Sequence, residues 1–211
     1  MRVFQIIALM FVSMQSPNSE EKCDLPAVRN QLAERVKVDQ EIRRKLIEAS
    51  RPKKNGAMNV PTDLITKMAE TDKSNTTWLK ALIKQHGWLG RSLVGEDGAH
   101  DAWLLVQHAD LDPAFQKECL RLMTAMPKGE VAAVDIAYLT DRTLVADGKL
   151  QRYGTQCSGI NGKTVVNPVE DPVNLNKRRN ELGLGTIEEY LETIQSAYSK
   201  EKLGNDDGSN R

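Results

Sequence analysis

Leu25, Val28, Leu32, Val36 and Leu46 recur at the three-and-four spacing of an α-helix, which predicts a helix over residues 27–49. At about 100° per residue they form one stripe, and such a stripe is stable only when other elements cover it. Asp39 and Arg43 project into the middle of that stripe, whereas Glu34, Lys37 and Lys45 fall elsewhere. Being four residues apart, Asp39 and Arg43 can pair with each other. A buried charge without partners costs several kcal/mol, a large share of a stability margin of about 5–15 kcal/mol. The fold must therefore bring polar groups to this face.

The same conflict recurs downstream. A second helix is expected over 62–86, with Leu64, Met68, Leu79 and Leu82 on its stripe and Asp72, Asn75 and His86 on the same side. Gly87 stands where a helix C-cap is expected. The sequence also admits a break at 72–76, with Ser74 or Asn75 capping a new helix. Residues 99–109 are apolar around most of the circumference, which predicts a buried central helix ending at Gln107 and His108. Asp112-Pro113 gives an N-cap and a first-position proline for a helix to Met126. A further helix over 131–146 carries Tyr138, Asp141 and Arg142. Asp141 and Arg142 diverge by about 100°, so each needs a partner from another element.

Asn161-Gly162 is a strong hairpin signal between runs 150–157 and 163–169. As a strand, the first run would turn Gln151, Tyr153 and Thr155 to one face and Arg152 and Gln156 to the other. Gly154 suggests a close approach to the backbone. Asp171-Pro172 should cap a helix ending by Gly183. Thr186-Ile187-Glu188-Glu189 is a capping box for a final helix to Lys200. The expected fold is mainly α: an irregular multi-helix single domain over 20–203, with a small two-stranded β-ribbon. Residues 204–211 read as a disordered tail.

The chain carries 29 Lys+Arg against 29 Asp+Glu. Zero net charge argues against a nucleic-acid binder, which needs a cationic excess to neutralise phosphates. Met1-Arg2, an apolar run over 3–12 and a small polar stretch over 13–19 read as a signal peptide, too short to span a bilayer. The expectation is an exported protein, periplasmic or secreted, with no membrane segment once the signal is removed. Of three cysteines, Cys119 lies on an apolar helix face and reads as a buried inert thiol. In an oxidising compartment Cys23 and Cys157 are the pair a disulfide could join. GxSxG, HExxH, Walker and GxGxxG signatures are absent. His100 and His108 are eight apart, the wrong spacing for metal ligands on one helix turn. No metal and no cofactor is expected, and the sequence does not fix the oligomeric state.

A further set of residues carries a resemblance. Asp39-Gln40 with Arg43, Gly87-Trp88, Ser92-Leu93-Val94-Gly95, Trp103 with Gln107-His108-Ala109, and Leu139-Thr140-Asp141-Arg142 occur in this order. Gln151 to Gln156, Glu170-Asp171-Pro172 and Arg179 with Gly183-Leu184 complete the set. In this combination the chain resembles a bacterial family catalogued as a domain of unknown function, DUF6624, over roughly Leu32 to Leu191. Leu89 stands where that pattern often has proline. The resemblance implies no reaction.

Two readings follow. In the first, Asp39, Arg43, Gln107, His108, Asp141, Arg142, Tyr153 and Gln156 converge on a polar pocket walled by Trp88 and Trp103. His108 is then the acid–base group, its unperturbed pKa lying near neutrality, with Asp141, Asp39 or Asp110 orienting it. Arg43 or Arg142 would hold an anionic group, and Tyr153 and Gln156 would orient it. The ligand would be small and polar: an amino-acid, peptide or sugar fragment. In the second, the same residues form a self-satisfied packing network, and function lies on a partner surface. The mixture of chemical types favours the first.

Overall fold

A computed structural model of the chain describes residues 25–50, 60–160 and 163–203. In these stand seven helices and one two-stranded sheet: α1 (Leu25–Ala49), α2 (Thr62–His86), α3 (Arg91–Gln107), α4 (Pro113–Thr124), α5 (Ala133–Ala146), β1 (Cys157–Ile160), β2 (Lys163–Val166), α6 (Leu175–Glu181) and α7 (Ile187–Leu203). The fold is mainly α, as expected. The segments read as a signal peptide and a disordered tail lie outside the described residues, and so does Cys23 with its pairing to Cys157. Among the described residues no helix is long and apolar enough to cross a membrane.

α3 is the hub and touches α1, α2, α4 and α5. Its composition explains this: Val94, Ala99, Ala102, Trp103, Leu105 and Val106 are all buried, whereas Ser92, Glu96, Asp97 and His100 are exposed. They join Val28 and Leu32 of α1, Leu79 and Ile83 of α2, Phe115, Cys119 and Met123 of α4 and Leu139 of α5 in one core. Several local signals act as read. Asp112 accepts the Phe115 N–H at 3.1 Å behind Pro113, capping α4. The Thr186 N–H donates to Glu189 and the Glu189 N–H returns to the Thr186 hydroxyl, a reciprocal capping box for α7. Gly87 ends α2 at φ 73°.

α2 covers 62–86 as expected; one alternative and three expectations need correction. α2 runs unbroken through 72–76, because Asn75 and Thr76 are buried against neighbours rather than turned back to cap a new helix. α3 begins at Arg91, eight residues before Ala99, and bends at Gly95 (φ 76°, ψ 174°). A Cβ at Gly95 would also stand 2.9 Å from the Arg29 guanidinium, which itself donates to the Val94 carbonyl. α6 starts at Leu175. Asp171 accepts from the Asn174 N–H, so the Asp-Pro pair shapes the turn before the helix.

The fourth correction bears on function. Residues 151–156 are a loop, not a strand; only Gln151 makes a single parallel bridge, to Val169. The ribbon is confined to β1 and β2, antiparallel with Ile160 opposite Lys163. The Asn161-Gly162 turn lies outside the described residues. The preceding loop takes its shape from a side chain on α5.

Candidate functional site

α1 and α2 lie side by side, and the C-terminal end of α3 reaches α1. Asp39 of α1 is almost wholly buried, at 1% exposure. Its Oδ2 lies 2.7 Å from Nδ1 of His108, the C-cap residue of α3. Arg43 donates from Nε to both Asp39 oxygens at 3.2 and 3.3 Å, and from Nη2 to Asp72 of α2 at 2.6 Å. Its Nη1 points to the Met68 sulfur at 3.5 Å, and Gln40 donates to Asp39 Oδ2 at 3.1 Å. Three helices are thus tied at one polar knot, which supplies the partners that the misplaced charges of α1 require.

The geometry settles the protonation pattern. Burial alone would raise the Asp39 pKa, but the hydrogen bonds and charges of His108 and Arg43 outweigh it, and the carboxyl sits below the usual range. Asp39 is therefore an ionised acceptor, and His108 Nδ1 must carry the proton it shares. The 3.0 Å approach of Arg43 Nε to Nδ1 is then a contact between two donors that converge on one carboxylate. This leaves Nε2 as the second ring nitrogen of His108. It has no hydrogen-bond partner among the described residues and is not sealed off. Asp72 differs from Asp39: burial raises its pKa, and Arg43 offsets this only in part.

Arg142 extends the cluster from α5. Its Nε donates to the Gln107 carbonyl at 2.6 Å, and Nη1 donates to the Gln156 side chain at 3.1 Å. Asp110 lies 3.2 Å from Nε. Burial lowers the Arg142 pKa, Asp110 and Asp72 oppose this, and the charge of Arg43 adds to it. The two guanidiniums therefore feel one another. Gln107 is buried, and its Nε2 has no acceptor among the described residues.

Of the residues expected to converge, Asp39, Arg43 and His108 meet directly, and Gln107, Arg142 and Gln156 form the adjoining arm. The others lie apart. Asp141 is fully buried and accepts the N–H groups of Arg152 (2.7 Å), Tyr153 (3.0 Å) and Thr155 (2.9 Å), with the Thr155 hydroxyl at 3.0 Å. Both its oxygens are occupied, so it positions the 151–156 loop and offers nothing to orient His108. Tyr153 is bound into that loop: its carbonyl accepts from the wholly buried Arg179 at 2.8 Å. Trp88 and Trp103 belong to the hydrophobic core, where Trp103 meets His100 and Tyr138 with ring centroids at 4.8 and 6.0 Å. Two cavities, of about 440 and 650 Å³, are lined by other residues. Among the described residues no three His, Cys, Asp or Glu side chains group so as to hold a metal ion.

A family of unknown function, DUF6624, has a sequence pattern that matches residues 26–202. The chain belongs to this family. The match spans all seven helices and the ribbon, so Asp39, Arg43, Asp72, His108 and Arg142 all lie on the DUF6624 domain. No curated protein and no solved structure matches the chain. Two residues of the site were not among those expected to form it. Asp72 had left a signal, a carboxylate on the apolar side of α2. Asp110 reads in the sequence only as a partner for His108; in the structure it serves Arg142.

Proposed function

We propose that this DUF6624 protein is exported and binds or processes a small polar ligand, an amino-acid, peptide or sugar fragment, at the His108 cluster. One observation carries the reading. A fully buried carboxylate holds His108 Nδ1–H at 2.7 Å, and Nε2 is left without a partner among the described residues. Ionised Asp39 fixes the tautomer and would stabilise the imidazolium if Nε2 took a proton, which is what an acid–base histidine requires. Arg142, a quarter exposed, would hold an anionic group on the ligand. The apolar run over 3–12 after Met1-Arg2 supports export.

A thermal-shift screen of amino acids, short peptides and sugar fragments tests the reading on wild type and His108→Gln. A ligand at about a hundredfold its Kd adds about 2.7 kcal/mol, or about 5–11 °C in a chain of this size. The expected result is at least one compound that does this for wild type and not for His108→Gln. A specific observation favours the packing-network alternative: all three Arg43 nitrogens face partners within the protein. That alternative stands if no compound shifts wild type, or if every shift survives His108→Gln.

A further inference from the structure

The α1–α2 seam holds a second polar layer on the N-terminal side of the His108 cluster. Arg35 of α1 donates from Nη1 to Asn75 Oδ1 of α2 at 2.9 Å, and its guanidinium carbon lies 4.4 Å from the centre of the Trp78 ring. Trp78 is fixed in turn by donating to Gln31 at 3.1 Å. The guanidinium is thus stacked and tethered, yet no carboxylate pairs with it among the described residues. Desolvation without a counter-charge lowers its pKa. Asn75 is 3% exposed, and its Nδ2 has no acceptor among the described residues. A buried donor left unpaired is destabilising. Because Arg35 occupies Oδ1, turning the amide over would replace this fault with a clash of donors.

Arg35 and Asn75 both line one groove, the 650 Å³ cavity between α1 and α2, and Asn75 Nδ2 lies buried at its wall. A carboxylate is the acceptor that suits them. It has two oxygens, one for the remaining N–H groups of Arg35 and one for Asn75 Nδ2. The rest of the lining narrows the ligand further. Lys67, Glu34 and Glu70 also face the groove, so its four charged side chains sum to zero and none is ion-paired with another. A simple anion would meet two carboxylates there, whereas a zwitterion meets both signs.

We propose that the α1–α2 groove binds a small zwitterion, an amino acid or short peptide, with its carboxylate on Arg35 and Asn75 and its ammonium toward Glu34 and Glu70. This site is separate from the proposed acid–base site. Arg35 and Arg43 are eight residues apart, about 12 Å along α1.

The test is a nitrogen-15 NMR titration of the full chain with Ala-Ala, N-acetyl-Ala-Ala and Ala-Ala amide, following the Asn75 side-chain amide and the Arg35 Nε. The expected result is a saturable shift of both signals with Ala-Ala. Each blocked derivative and the Arg35→Gln variant should bind at least about tenfold more weakly, a difference of about 1.4 kcal/mol. His108→Gln should bind Ala-Ala as wild type does, which separates failure here from failure of the acid–base reading. The proposal is overturned if the shifts grow linearly to the solubility limit, if Arg35→Gln binds equally, or if the blocked peptides bind as well as Ala-Ala. Should Arg35→Gln not fold, Glu34→Gln combined with Glu70→Gln takes its place. That variant must lose the preference for Ala-Ala over its N-acetyl form, and a preserved preference refutes the proposal.

Discussion

Replacing Asp141 with alanine should unlock the 151–156 loop and cost much of the fold's stability. The carboxylate accepts three backbone N–H groups and one hydroxyl at 2.7 to 3.0 Å. Hydrogen bonds to a charged group are worth about 1.5–3 kcal/mol each, and they do not add when they share an acceptor. Exposure decides how many are lost outright. Arg152 is exposed and Tyr153 half-buried, so water can take over their N–H groups; Thr155 is buried and its N–H and hydroxyl are stranded. Two stranded donors and the vacated space give about 3–5 kcal/mol. In a chain of 211 residues that lowers the melting temperature by about 6–20 °C. Asp141→Asn keeps the shape and one acceptor but turns an NH2 toward donors, so it should fall between wild type and alanine. Thermal melting by circular dichroism measures both, and amide exchange at residues 152–155 should quicken before global unfolding. A fall of less than about 2 °C in the alanine variant, under 1 kcal/mol, would show that the carboxylate does not hold the loop.

Other consequences concern the knot and the core. Arg43→Met removes the only cation among the described residues that joins Asp39 to Asp72, and it should lower stability by about 3–5 kcal/mol, read as a fall in melting temperature; an unchanged melting temperature would mean that Asp72 does not depend on that pair. The sign with pH follows from the depressed Asp39 pKa. Its contribution is complete above the unfolded value near 4, and it is lost as pH falls through the lower folded value. Acid melting curves should therefore steepen below about pH 4 in wild type and less so in Asp39→Asn. Burial raises the Cys119 thiol to about 12, so iodoacetamide at pH 8 should label it only after denaturation; rapid native labelling at Cys119 would contradict its place in the core.

The helices were legible because their signals are local. Apolar spacing, the Asp112-Pro113 cap and the Thr186–Glu189 capping box each act within a few residues, and both caps formed where they were read. The same logic exposed Asp39 and Arg43, since a charge on an apolar stripe is visible from periodicity alone. The 151–156 segment defeated it. Its alternating side chains and the nearby Asn-Gly suit a strand, yet a strand needs a neighbour to take its N–H groups. Here those N–H groups go to Asp141, ten or more residues earlier on another element.

The sequence by itself determined that three helices carry polar groups on faces that must be covered, and so that partners had to exist. Only the tertiary structure decided which partners. Asp39 took His108 from the end of α3, 69 residues away, and Arg43 took Asp72, while Asp141 turned from that cluster to its loop. Periodicity fixes the direction of a side chain about its own helix axis, because that depends on 3.6 residues per turn. What stands opposite depends on how the helices cross, which core packing sets across the whole chain.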